Sequence, residues 1–74
     1  MDISSAIKAL KSEYPDDIPV GYWDVGDGIV INTNSPYTVY GVHAPAQFKI
    51  DNNGSVYGTN PVMSKLNSFK YHKL

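Results

Sequence analysis

The chain has 74 residues, a formal net charge of −1 at pH 7 and no cysteine. This length allows one small domain, which buries only about 60% of the surface that its unfolded chain exposes. The absence of cysteine excludes disulfide bonds and thiolate metal sites, so good packing or oligomerisation has to supply the stability. Six lysines without arginine give no general attraction to nucleic acid or to anionic membranes.

The chain shows no basic leader followed by an apolar run and no long apolar stretch. We therefore expect a cytoplasmic protein without a membrane partner. Six tyrosines, two phenylalanines and one tryptophan in so short a chain argue against disorder.

An amphipathic helix is predicted at the start of the chain. Apolar residues recur there at helical spacing, namely Ile3, Ala6, Ile7, Leu10 and Tyr14. Asp2 is placed to cap the first turn. Pro15 disfavours helical backbone at the residue before it, so the helix is expected to stop near Glu13.

Short strands are predicted along the next part of the chain, at residues 20–25, 29–31, 35–42, 48–50 and 55–57. The glycines of Gly26-Asp27-Gly28 and of Asp51-Asn52-Asn53-Gly54 suit tight reversals between strands. The stretch 35–42 is largely apolar on both faces and therefore predicts one central strand. The polar run 32–36 is expected to end the strand before it.

The end of the chain is open to two interpretations. Thr59 or Asn60 can cap a short helix in which Pro61 takes the first position, and this helix would include Leu66. Residues 68–74 continue the helical spacing only partly, and they equally fit an extended tail that adds a strand. The same residues are also compatible with a loosely ordered tail.

Together these elements predict an α+β fold in a single domain of residues 1–74. An N-terminal amphipathic helix packs on a four- to five-stranded, mainly antiparallel β-meander, and a short C-terminal helix follows. One helix of about a dozen residues covers only part of one sheet face. We therefore expect the C-terminal segment, or another subunit or partner, to cover the second face.

Four generic motifs follow one another along the chain. They are the helical segment 6–11, the Tyr14-Pro15 break, the hairpin segment 48–56 and the Asn60-Pro61 pair. This order resembles that of small uncharacterised α+β proteins from bacterial and phage or prophage genomes. The resemblance implies a compact accessory protein, with no catalytic residues to carry over.

Little in the sequence points to catalysis or to a metal. The turn that begins at Asp51 lacks the ligand positions of a calcium loop and fits a hairpin. Asp24 and Asp27 beside a reversal are typical of caps and solvated charges. His43 and His72 lack metal-ligand spacing, and there is no nucleophile-elbow pattern. We therefore expect no cofactor, no metal and no enzymatic activity.

The candidates for recognition are five aromatic residues, Tyr22, Trp23, Tyr37, Tyr40 and Tyr57. Tyrosine and tryptophan often anchor interfaces, although such rings equally fill the core of a small domain. We expect a small non-enzymatic accessory protein that binds another protein or its own copy, as a homodimer, through an aromatic sheet face. The alternative is a small-ligand or nucleic-acid binding module, but the sequence supplies no basic groove for nucleic acid.

Overall fold

The computed structural model describes residues 1–39, 42–58, 66 and 68–74, and of residues 35–39 and 42–46 it describes the backbone alone. Its elements are α1 (Ile3–Glu13), β1 (Ile18–Asp24), β2 (Gly28–Val39), β3 (Val42–Asp51), β4 (Val56–Gly58) and β5 (Tyr71–Lys73). The predicted α+β class is confirmed. No helix in these described parts of the chain is long and apolar enough to cross a membrane.

Both ends of α1 follow from local chemistry. The Asp2 carboxylate accepts a hydrogen bond of 2.8 Å from the backbone N–H of Ser5, which caps the first turn. At the other end the Tyr14 N–H donates to the Leu10 carbonyl at 2.8 Å, and Pro15 follows. The predicted cap and the predicted stop near Glu13 are therefore both confirmed.

The sheet has the strand order β4-β3-β2-β1-β5, and every neighbouring pair is antiparallel. The first four strands are neighbours in chain order, but β5 lies at the far edge beside β1, so the whole sheet is not the predicted meander. The backbone groups on the outer side of β1 need hydrogen-bond partners, and the end of the chain supplies them. The Leu74 N–H, for example, donates to the Val20 carbonyl at 3.0 Å. Residues 68–74 thus follow the extended alternative. The predicted C-terminal helix falls mainly on residues outside the described ranges.

The prediction of one central strand at residues 35–42 was wrong. Val39 ends β2 and pairs with Val42, the first residue of β3, so the stretch belongs to two strands. The polar run 32–36 does not end a strand, because β2 continues through it. The β2–β3 register shifts between Asn34 and Thr38, where Pro36 has no N–H for the ladder, so the strand bulges rather than stops.

Both predicted glycine turns are confirmed. Gly26 has a φ of 89°, and its N–H donates to the Asp24 carboxylate at 3.0 Å. Gly54 has a φ of 87°. The Asp51 carboxylate accepts from the N–H groups of Asn53 and Ser55 at 2.9 and 3.0 Å, so its side chain caps this turn as predicted.

The main core lies between α1 and one face of the sheet, which we call the helix face. Its buried residues are Ala6 and Leu10 of α1 with Ile29, Ile31, Phe48 and Ile50 of the sheet. Tyr14 extends the contact past the end of the helix, with its ring centroid 4.6 Å from that of Phe48. The opposite side of the sheet, which we call the second face, has no part in this core.

Candidate functional site

One row of five side chains runs across the second face, one from each strand. In the order β5, β1, β2, β3 and β4 these are Tyr71, Trp23, Val30, Lys49 and Tyr57, which we call the second-face row. They share a face because paired residues of neighbouring strands project to the same side of a sheet. The row therefore places an aromatic residue at each edge of the sheet.

Two neighbouring residues inside the second-face row, Trp23 and Val30, are buried. Trp23 is 8% exposed and Val30 is 6% exposed, and they form one buried cluster with Leu66, which is itself 8% exposed. Leu66 comes from the segment between β4 and β5, so part of the second face is covered by the chain itself. The Trp23 ring is thus a member of a small second core and not an open platform.

At the β5 end of the row, Tyr71 lies over a glycine. Its ring centroid is 4.7 Å from that of Trp23, with an angle of 52° between the planes. A Cβ built on Gly21 would overlap the Tyr71 phenol, so only glycine leaves room for the ring in this position. Tyr71 remains 41% exposed on its outer side.

At the β4 end of the row, Tyr57 is 53% exposed. Its hydroxyl donates to the Asp51 carboxylate at 3.3 Å, which ties the ring to the turn that Asp51 caps. Its neighbour Lys49 forms an ion pair with Asp27, at 3.0 Å between the Nζ and Oδ2 atoms. Both polar groups beside the ring are therefore already engaged within the chain.

The residues proposed from the sequence do not form one surface. Trp23 and Tyr57 lie on the second face, with the strands β2 and β3 between them. Tyr22 lies on the helix face, where it packs against the main core and stacks on His72 with 4.8 Å between the ring centroids. Tyr37 belongs to β2, but its side chain is outside the described part of the chain, and Tyr40 lies outside it entirely.

Sequence reasoning missed Tyr71. The signal that could have found it is the alternation of aromatic and basic residues in Phe69-Lys70-Tyr71, which fits a strand with one aromatic face. That alternation competes with a helical spacing that continues from Leu66. The structure pairs Tyr71 of β5 with Trp23 of the adjacent β1, so the segment forms a strand.

The described residues offer little that could carry out a reaction. Asp17 is a buried carboxylate, 6% exposed, and it accepts a hydrogen bond of 3.5 Å from the hydroxyl of Thr33, which is fully buried. This bond ties the connector after α1 to β2, which is a structural role. No group of three or more His, Cys, Asp or Glu side chains in the described part of the chain could hold a metal ion.

No protein-family model, curated protein or solved structure matches the chain. Its function is therefore inferred from its own residues. Among these, the second-face row combines the two features of a recognition surface, aromatic side chains and a fixed scaffold beneath them.

Proposed function

We propose that the chain is a small non-enzymatic interaction protein that self-associates, or binds another protein, through the two tyrosines at the ends of the second-face row. Their exposure is the observation that carries the proposal. Tyr57 is 53% exposed and Tyr71 is 41% exposed, whereas Trp23 between them is 8% exposed. A tyrosine brings a large apolar area and a polar tip to an interface at a low cost in side-chain entropy.

The surroundings of β5 add apolar area to this surface. The large exposed apolar residues near this edge are Ile18, with 61% of its surface exposed, Leu74 with 51% and Phe69 with 40%. Ile18 lies on the second face, as Tyr71 does. It pairs with Asn34, which projects to the same side of β2 as Val30. Single exposed apolar residues are ordinary, but several around one short edge strand favour a contact surface.

The alternative function, a small-ligand or nucleic-acid binder, has less support. A platform for bases or sugars needs open aromatic rings, and for nucleic acid it also needs a basic groove. The Trp23 ring is buried in a cluster with Leu66, and the charge of Lys49 is paired with Asp27. Neither observation favours stacking on a ligand.

Light scattering on a sizing column tests the proposal, at low and high protein concentration and at two salt concentrations. We expect the mean mass to rise with protein concentration. Alanine at whichever of the two tyrosines meets the partner, Tyr57 or Tyr71, should raise the dissociation constant about tenfold, the size of effect typical of an interface anchor. Tyr14→Ala is the matched control, because Tyr14 is similarly exposed, at 39%, but packs on Phe48 of the helix face.

A single-chain mass at every concentration would contradict self-association. Association that Tyr57→Ala and Tyr71→Ala weaken no more than Tyr14→Ala does would show that the surface lies elsewhere. Thermal unfolding of each variant at low concentration separates a loss of association from a loss of folding.

A further inference from the structure

The two edges of the sheet differ in how they are protected. Proteins commonly shield an edge strand with lysine, proline, a bulge or short length, because its unpaired backbone groups otherwise attract another strand. The β5 edge carries Lys73 and follows Lys70. The β4 edge, Val56–Gly58, is as short but contains neither a charged residue nor a proline. Among the described residues no strand pairs with its outer side.

Hydrogen bonding within the β3–β4 hairpin determines which backbone groups face outward. The Asp51 N–H donates to the Ser55 carbonyl at 3.0 Å, so these two residues form a hydrogen-bonded pair. Such pairs alternate along an antiparallel ladder, which makes Lys49 and Tyr57 the next one. The backbone groups of Val56 and Gly58 therefore point away from β3, towards the outer side of the strand, where no strand of the described residues pairs with them.

We propose that β4 pairs antiparallel with β4 of a second copy of the chain, about a twofold axis at Tyr57, and joins the two sheets into one. This inference rests on the proposed self-association and assigns it to the Tyr57 end of the second-face row, with Tyr71 at the opposite edge of the sheet. Val56 of each copy would exchange backbone hydrogen bonds with Gly58 of the other. The two Tyr57 residues would face each other as a non-hydrogen-bonded pair, with their Cα atoms about 4.5 Å apart and both rings on the second face.

A second copy fits this edge for three reasons. Pairing of β4 with itself is isologous and closes as a dimer, whereas pairing of β4 with β5 is heterologous and would give a ring or an open filament. β4 itself carries no charge and the nearest lysine, Lys49, is paired with Asp27, so the charge that each copy brings near the axis is the hydrogen-bonded carboxylate of Asp51. The outward-facing residues Val56 and Gly58 lie symmetrically about Tyr57, so a second copy in antiparallel register pairs the outward groups of both copies.

The interface is small, because it consists of one short strand and one tyrosine from each copy. Stable dimers bury upwards of about 1,000 Å² in total, so this pairing should be weak and should appear only at high protein concentration. Its strength then depends on the backbone hydrogen bonds and on the paired Tyr57 rings. The backbone hydrogen bonds and the paired rings can each be removed by a separate substitution.

The decisive experiment compares Gly58→Pro with Gly58→Ala in the full chain, by sedimentation equilibrium over a wide range of concentrations. Proline removes the N–H that points outward, and it removes no hydrogen bond to β3. Alanine keeps that N–H and fills open space. We expect Gly58→Pro to raise the dissociation constant of the dimer about tenfold or more and Gly58→Ala to leave it nearly unchanged.

A second pair of variants guards against a folding defect in Gly58→Pro. Tyr57→Lys places two like charges opposite each other on the twofold axis and should abolish the dimer. Tyr57→Phe loses only the hydrogen bond to Asp51 and should keep the dimer. These two variants decide the question if Gly58→Pro unfolds.

The outcomes separate this inference from the proposed function. Dimers lost in Gly58→Pro and Tyr57→Lys but kept in Gly58→Ala and Tyr57→Phe would support the β4 pairing. Association that is undiminished in Gly58→Pro and Tyr57→Lys but weakened in Tyr71→Ala would overturn the β4 pairing and leave the proposed function standing. A chain that stays monomeric at every concentration would overturn both.

Discussion

Replacing Gly21 by alanine tests how the C-terminal strand is held on the second face. A Cβ at this position would overlap the phenol of Tyr71, so the ring has to leave its place over β1. The ring then loses its contact with Trp23, whose centroid lies 4.7 Å away. Because the clash involves the far end of a flexible side chain and not the backbone, the sheet itself should survive the substitution.

The expected loss of stability follows from three contributions. A tilted aromatic pair such as Tyr71 and Trp23 is worth about 0.5–1.5 kcal/mol beyond its buried area. Lost burial of the Tyr71 ring adds about 1 kcal/mol, since the side chain is already partly exposed. Alanine returns about 0.4–1 kcal/mol by restricting the unfolded chain. The net destabilisation is therefore about 1 kcal/mol, which lowers the midpoint of thermal unfolding by about 4–8 °C in a chain of this size.

Thermal unfolding followed by circular dichroism and by the fluorescence of Trp23 measures this loss. Gly58→Ala is the matched control, since it makes the same chemical change in a strand with open space and should leave the midpoint unchanged or slightly raised. A double-mutant cycle with Tyr71→Ala isolates the clash. In that background Gly21→Ala should be neutral or stabilising. An equal loss of stability with and without the Tyr71 ring would refute the placement of that ring over Gly21.

Two further predictions concern the second core and the start of the helix. Leu66→Ala should lower the free energy of unfolding by about 2–4 kcal/mol and shift the emission of Trp23 to longer wavelength, because it uncovers the ring; unchanged emission would count against the second core. The pKa of Asp2 is lowered, chiefly by its hydrogen bond from the Ser5 backbone N–H. Its contribution to stability is therefore fully present above the unfolded-state pKa and is lost as the pH falls through the folded-state pKa. Asp2→Asn should reduce the acid dependence of the unfolding midpoint, and an identical dependence in both proteins would contradict the role of this cap.

The features that the sequence predicted correctly depend on a few consecutive residues. Asp2 caps the helix because its carboxylate reaches an N–H three residues ahead, and Pro15 ends it through its effect on the residue before. Gly26 and Gly54 adopt positive φ in turns where a side chain would be strained. Each of these outcomes is set before any distant part of the chain is in place.

The boundary between β2 and β3 could not be predicted from a few consecutive residues. Alternation of side chains shows that a segment is extended, but it does not show where an extended chain reverses. Residues 35–42 look like one strand, but the pairing of Val39 with Val42 assigns them to two. The segments before and after Pro36 look like separate strands, but the bulge there keeps both within β2. Both depend on which backbone groups find partners across the ladder.

The sequence by itself determined the helix, its two ends, the glycine turns and the class of the fold, because these follow from local backbone preferences and from hydrophobic periodicity. Only the tertiary structure decided that β5 pairs with β1, that Leu66 joins Trp23 in a second buried cluster and that Tyr57 and Tyr71 stay exposed while Trp23 is buried. Burial and strand pairing depend on segments far apart in the chain, so an aromatic residue in the sequence gives no sign of whether it will fill a core or meet a partner.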